Sequence, residues 1–346
     1  MLSAALASLS SQDVQIAVVR HSSGDVTGIF PLQLERYFHG LPLPALKAWQ
    51  HPYCFLCTPL LSAKYGQDSL RAFLDWIDSS AAPAKLVEWE LVAADGPFNA
   101  LLTDELSRRR GWGVRVQRYE RALFDPGAAE VSVSGRHLKE LRRLKRRLSE
   151  RGCYANRVME PGEPVDGWID NFLRLEASGW KGREQTAIAS HDESRQFFAR
   201  AAKIAASQGR LEMLAIELDG APIAMKCNFL AGNTAFAFKI AYDEQFSRYS
   251  PGVLLELFNI SSLAERSSRT RWMDSCATSD HFMIERLWSG RRILGNYMMA
   301  SRGPARVMVR HLHRYIAVRN FVRRLNRERH GPVSEVQSHQ RPREVR

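Results

Sequence analysis

Lys239-Ile-Ala-Tyr-Asp-Glu-Gln-Phe-Ser-Arg-Tyr-Ser-Pro-Gly-Val-Leu-Leu-Glu256 is the stretch that decides the fold. A strand pattern ends at Tyr242-Asp243, a polar loop follows, and Pro251-Gly252 opens a helical pattern. Proline suits the first helical position, because the N–H it lacks would be unpaired there anyway. Gly252 lets a ligand approach the backbone closely. The first amides of a helix have no intrahelical partner and sit at the positive end of its dipole. Arg248 adds a full charge nearby. The spacing therefore predicts a diphosphate cradle at Gln245, Arg248, Tyr249, Ser250 and Gly252, with Tyr242 at the strand end. Taken alone, the same residues also make an ordinary strand–loop–helix turn.

Working outward, residues 211–218, 221–230 and 234–242 read as three strands, joined by Asp219-Gly220 and Ala231-Gly-Asn233. Helical periodicity marks 134–150, 165–179, 193–208 and 251–265, and strands are expected at 153–159, 271–276 and 291–299. A crossover helix at 251–265 makes the next strand parallel to the last. Two such neighbours can splay and leave a slot for a ligand. Upstream, strands at 14–19, 25–30, 84–89 and 113–119 alternate with helices at 67–77 and 98–109. This forms a first α/β unit ending near Pro126-Gly127. The expected fold class is α/β (α+β) with a mixed central sheet and splayed parallel strands. Its parts are a domain at 1–130, a ligand-binding domain at 131–300, a basic amphipathic helix at 301–327 and a disordered tail at 328–346.

Composition sets the limits. The chain has 346 residues, 45% of them hydrophobic, enough for about two domains with a sizeable core. Its formal charge of +12 is uneven. From Arg302 onward, twelve Arg and three Glu give +9, which leaves +3 for the rest. The basic balance thus belongs mainly to the tail. Helix 134–150 has a leucine stripe (Leu138, Leu141, Leu144, Leu148) opposite a basic face, read as a solvated face rather than an anionic-partner surface. The five cysteines are scattered, unlike a secreted disulfide framework. Cys54 and Cys57 fit C-x-x-C, but no second pair follows at zinc spacing, so they are read as buried structural thiols and no metal is expected. The N-terminus lacks the basic start of a secretory signal, and no apolar run reaches the ~20 residues a span needs. The expected compartment is the cytoplasm.

Three segments carry a resemblance to a known family: Phe172-Leu-Arg-Leu-Glu-Ala-Ser-Gly-Trp-Lys-Gly182, Ala241–Gly252 with Leu254-Leu255, and Trp272-Met-Asp-Ser-Cys-Ala-Thr-Ser-Asp-His281 with Leu287-Trp288. With these, residues 134–300 resemble the GNAT superfamily of acyltransferases, specifically the CelD/BcsL-like subgroup associated with cellulose or exopolysaccharide biosynthesis. The first ~130 residues suggest, by analogy with FemAB-type enzymes, two tandem GNAT-like halves. The superfamily loop is Q/R-x-x-G-x-G/A. Here it reads Arg248-Tyr-Ser-Pro-Gly-Val253, with a single glycine, a departure that bears on donor identity. The resemblance implies an acetyl-CoA or other acyl-CoA donor, with its pyrophosphate at 245–252 and its thioester near 238–241. A backbone amide would polarise the carbonyl, and an amine or hydroxyl would attack directly.

Deprotonating an acceptor calls for a base of near-neutral pKa. The candidates are Asp274, Glu176 and His281, with Asp243 and Asp280 as loop carboxylates. Each has a plainer role: Asp274 capping a strand end, His281 capping a helix, Glu176 pairing with Lys181. Trp180 could wall the acceptor site or belong to the core, Lys181 could hold a phosphate or carboxylate, and Asp243 is grouped with them as substrate-binding. The 305–325 helix carries a stripe of Val307, Leu312, Tyr315, Ile316, Val322 and Leu325. Its expected use is packing on the body, with peripheral contact to an anionic inner-membrane surface as the alternative. A FemAB-like transferase drawing aminoacyl groups from tRNA is the second functional reading, and a non-catalytic GNAT-fold scaffold the third. No aromatic–basic RNA motif is visible, which disfavours a nucleic-acid partner.

Overall fold

Alternating apolar residues and tight polar turns build one sheet that runs through the whole molecule. The computed structural model describes residues 1–9, 14–126, 135–265, 270–278, 281, 284 and 287–330. The first half contains α1 (Leu2–Leu9), β1 (Val14–Arg20), β2 (Val26–Glu35), β3 (Ala45–Ala48), β4 (Leu60–Leu61), α2 (Gly66–Asp78), β5 (Leu86–Ala93), α3 (Pro97–Arg108) and β6 (Trp112–Phe124). The second half contains α4 (Gly135–Ser149), β7 (Tyr154–Val158), α5 (Val165–Ser178), α6 (Trp180–Arg183), α7 (Asp192–Ser207), β8 (Leu211–Leu218), β9 (Ala221–Ala231), β10 (Thr234–Tyr242), α8 (Pro251–Glu265), β11 (Trp272–Asp274), β12 (Gly290–Ala300) and α9 (Pro304–His330).

The sheet order is β1-β2-β3-β5-β12-β6-β11-β10-β9-β8-β7, with β4 against β2. The division near residue 130 is therefore a division along the chain and not between two sheets. β12 follows the second half in sequence but pairs with β5 on one side and β6 on the other. β6 in turn joins β11, at Leu123↔Asp274. Each half thus completes its sheet with a strand from the other.

Helices cover both faces, as the mixed sheet requires. On one face of β8–β10 lie α5 and α7, with Phe172, Phe197, Phe198 and Phe238 in a shared core. Two pieces of the first half enter that core: α1 through Ala4 and Ala5, and the β3–β4 connection through Trp49 and Tyr53. On the opposite face, Leu141 and Leu148 of α4 meet Leu254 and Leu255 of α8. The leucine stripe of α4 is thus packed and its basic face turned out. In the first half, α2 and α3 bury Leu70, Phe73, Leu74 and Leu102 against β2, β3 and β5.

The C-terminal helix packs on the body through Val309, Leu312 and Ile316 against Phe38, Leu86 and Met298. The contact row differs from the expected stripe: Val307 and Tyr315 are exposed, while Val309 is buried. The reason is geometric, since Val309, Leu312 and Ile316 follow i, i+3, i+7 spacing and share one narrow face. Val322 and Leu325 fall outside the described side chains. No helix among the described residues is long and apolar enough to cross a membrane.

Candidate active site

β10 and β11 pair in parallel at only three positions, Thr234↔Trp272, Ala235↔Met273 and Phe236↔Asp274. β11 then ends, while β10 runs on to Tyr242 with β9 on its other edge. The antiparallel register slips between Ala237 and Lys239, a bulge that leaves Phe238 as the extra residue. The expected splay is present, and a bulge beside it re-aims the strand's side chains.

The loop after β10 is more self-contained than a row of open amides. A 3-10 turn, Glu244–Tyr249, is capped by Asp243, whose side chain accepts from the Gln245 N–H at 2.9 Å. Phe246 N–H donates to the Asp243 carbonyl, and Ser250 N–H to the Ser247 carbonyl. The Ser250 carbonyl accepts from Val253 and Leu254, 3.0 Å each. Ser250 has a left-handed φ of 53°, which turns the chain into α8. The close approach permitted by Gly252 is taken by the Tyr242 ring, since a Cβ there would lie 3.3 Å from Tyr242 Cδ1. Gly252 and Tyr249 are buried, Ser250 is half-buried, and Arg248 is exposed with its guanidinium over the Tyr249 ring. The amides of Gln245, Phe246, Ser250, Val253 and Leu254 thus have partners within the turn, and the guanidinium of Arg248 stands exposed beside them.

The Trp180-Lys181-Gly182 motif has a clear steric cause. A Cβ at Gly182 would lie 1.8 Å from the Ala177 carbonyl oxygen, so only glycine lets α6 fold back onto the end of α5. Glu244 fixes the other side of α6, accepting from Trp180 N–H at 2.7 Å and Arg183 Nη2 at 2.8 Å. The fold-back brings Lys181 Nζ to 3.4 Å from Glu176 Oε1 and 3.5 Å from the Ile240 carbonyl. Lys239, from β10, reaches the same Glu176 oxygen at 3.1 Å. The Ile188 N–H donates to Glu176 Oε2 at 2.8 Å. Burial raises the Glu176 carboxyl, but the two ammonium groups and the amide outweigh it and hold its pKa below the usual carboxylate value. Burial lowers the Lys181 ammonium, and Lys239 beside it adds to that, against the pull of Glu176.

Asp274 occupies a second centre. Fully buried at the end of β11, it pairs with Arg292 Nη1 at 2.7 Å and Arg121 Nη1 at 3.4 Å, and it accepts from the Cys276 N–H at 2.8 Å. The same Arg121 nitrogen donates to the Phe55 carbonyl at 2.8 Å. The β3–β4 connection is thereby tied to the slot, with the Phe55 ring 5.8 Å and the Tyr53 ring 5.9 Å from that of Phe238. Lys239 Nζ lies 5.6 Å from the Tyr53 ring centre.

His281 is half-buried. Burial lowers its imidazole pKa, and the nearby charges that act on it are Glu256, Lys226 and Lys181. Lys226 and Glu256 form a buried pair at 2.8 Å, extended by Asn259. Asp280 lies outside the described residues.

Glu176, Lys181 and Trp180 are thus gathered on one side of β10. Asp274 lies at the end of the β10–β11 pairing, and the loop residues Gln245, Arg248 and Tyr249 sit at the far end of β10. Lys239, Tyr53, Arg121, Arg292 and Glu244 were not expected. Only Lys239, at the head of the deciding stretch, carried a signal, as a charged residue within an otherwise apolar strand. Cys54 and Cys57, expected to be buried, are partly exposed with their Sγ atoms 3.5 Å apart. Cys227 is buried.

Residues 135–282 match the family model described as an acetyltransferase (GNAT) domain, the segment that carries α4 through β11. No curated protein matches the chain significantly. Among solved structures, the C-terminal domain of a protein described as a lysylphosphatidylglycerol synthetase from Agrobacterium fabrum is 14% identical, with a TM-score of 0.51, covering 85% of both chains. L-PGS from Bacillus licheniformis is 13% identical over 86% of this chain and 88% of its own, with a TM-score of 0.50. FemX is 12% identical over 83% of this chain and 87% of its own, with a TM-score of 0.51. At such identities the likeness is one of fold, and it extends over both halves. The chain has a mixed α/β fold of the GNAT type.

Proposed function

We propose that this protein is an acyltransferase that moves an acyl group from acyl-CoA directly to an amine or hydroxyl beside the free edge of β10. The observation that carries the reading is the splay: β10 outruns β11 after Phe236, next to a bulge, inside the segment that matches the GNAT model. A strand edge released from pairing leaves backbone amides for a carbonyl oxygen to accept. Acyl-CoA supplies the activated thioester. Arg248, exposed beside Ser250 at the start of α8, suits its diphosphate.

Of the candidate bases, Glu176 is held by two lysines that keep its carboxyl below the usual carboxylate range, and Asp274 is held by two arginines. His281 is the candidate that stands uncharged near neutral pH. It is assigned to take the acceptor's proton. Trp180 and Lys181 border the acceptor side, and Asp243 fixes the turn that carries Arg248. The resemblance to the CelD/BcsL-like subgroup points to an acceptor in cellulose or exopolysaccharide synthesis.

Equilibrium titration of the full chain with acetyl-CoA tests the reading. Saturable binding that weakens at least tenfold in Arg248→Ala is expected. No binding at millimolar donor would refute it.

A second reading has its own support. α4 packs beside the 3-10 turn of Arg248 and turns Arg136, Lys139 and Arg143 into a concave surface at its start, with Glu140 there paired to Arg143. That surface suits the backbone of a tRNA-borne aminoacyl donor, as the FemAB-type resemblance implies. Co-purification with RNA and steep salt dependence would favour it over acyl-CoA.

A further inference from the structure

The Glu176 centre holds more positive charge than its own carboxylate can neutralise. Lys181 and Lys239 converge on a single oxygen, Glu176 Oε1, at 3.4 and 3.1 Å, while Oε2 is taken by the Ile188 amide. An ammonium carries three N–H donors. Among the described residues, the remaining contacts of these two lysines are the Ile240 carbonyl at 3.5 Å and the faces of Trp180 and Tyr53. Several donors are therefore left over at a place where their side chains keep only 17% and 13% of their exposure. Buried charge without a counter-charge is costly, and a ligand carrying the opposite charge relieves it. The opening is aromatic, with Tyr53 on one side and Trp180 on the other. The contrast with Lys226 is direct. It lies deeper still, with 3% of its side chain exposed, and is the one lysine paired with Glu256, at 2.8 Å.

We infer that Lys181 and Lys239 together bind a carboxylate or phosphate group of the substrate, so that the transferase acts on an anionic partner. This deepens the acyl-transfer reading and rests on it for the anion's role, while the binding itself can be measured without any turnover. An anion bridging the two ammonium groups would be fixed beside the Phe238 bulge, where the acyl carbonyl is placed by the proposal above. The anion has two sources, the acceptor or the acyl group of the donor.

Titration calorimetry of the full chain with succinate, with succinamide as the neutral control, tests the inference. Saturable succinate binding is expected, without a counterpart for succinamide. It should weaken at least tenfold in Lys239→Met and in Lys181→Met, recover in Lys239→Arg, and stay unchanged in Arg248→Ala. Thermal unfolding of each variant separates loss of the site from loss of the fold. Succinate binding that is absent, or equal in the wild type and both Met variants, overturns the inference.

Titrations with succinyl-CoA and acetyl-CoA then identify the source. Selective weakening of succinyl-CoA in Lys239→Met places the anion on the acyl group. Equal affinity for the two donors, with free succinate still lost, places it on the acceptor. Failure of acyl-CoA binding with succinate binding intact would remove the donor reading and leave this site standing.

Discussion

Glu176 and Asp274 are both buried carboxylates that each hold two cations, yet they are built for different ends. Asp274 lies beside the β6–β12 pairing, and its partners Arg121 and Arg292 face each other on those neighbouring strands, one from each half of the chain. Planar guanidinium groups held at fixed geometry suit such a staple. Glu176 sits at the end of a helix, and its partners are lysines on flexible stems that stay partly open to solvent. The same charge count thus fastens the sheet in one place and leaves donors available in the other. Burial of a carboxylate does not by itself mark a base, because the partners decide whether it can take a proton.

The largest expected effect separates these two roles. Asp274→Asn leaves two guanidinium groups without their charge partner and should lower stability by about 3–5 kcal/mol in urea unfolding. Unchanged stability with lost turnover would instead make Asp274 a catalytic group and break the comparison. Gly182→Ala should come next, at about 1–3 kcal/mol, because a methyl there collides with the Ala177 carbonyl. It should also displace Lys181 and weaken succinate binding, which calorimetry reads directly.

The third effect is on pH. The lowered Lys181 ammonium loses its proton earlier than an ordinary lysine, whose pKa is about 10.4. Its charge is present below its own folded-state pKa and lost as pH rises through it. Succinate binding should therefore fall on the alkaline side before pH ~10.4 is reached. The charged groups acting on Lys181 are Glu176 and Lys239, and Lys181 in turn acts on His281. Removing the repulsion in Lys239→Met should shift the fall to higher pH, and a fall that does not move would remove Lys239 from the centre. The smallest effect is Arg248→Ala. As an exposed side chain, it should change stability by under about 0.5 kcal/mol, which confines its consequence to donor affinity.

Much of the second half was legible because its order is local. The Asp219-Gly220 turn and the strands around it fix a meander by short-range chemistry, and α8 begins at Pro251 as expected. The first half was harder. β3 and β4 span four and two residues, too short for any periodicity. β6 runs to Phe124, beyond the expected end at 119, because β12 holds it along its length. Nothing local in residues 290–300 encodes insertion between β5 and β6.

The site divides in the same way. Glu176 and Lys181 are five residues apart, and their pairing could be weighed from sequence alone. Lys239 lies 63 residues from Glu176, and Tyr53 arrives from the other half, so only the fold brings them together. The 242–252 segment is legible as strand, turn and helix. Which of its amides pair within the turn is set by Asp243 and by the backbone of Ser250, and that is not legible.

Amide hydrogen exchange of the full chain with and without acetyl-CoA tests the central claim, that the free edge of β10 and the turn after it receive the donor. The account predicts slowed exchange confined to 237–242 and 244–254, and reduced protection in Arg248→Ala. Unchanged exchange across those residues at millimolar acetyl-CoA, or protection limited to α4 and α9, would contradict it.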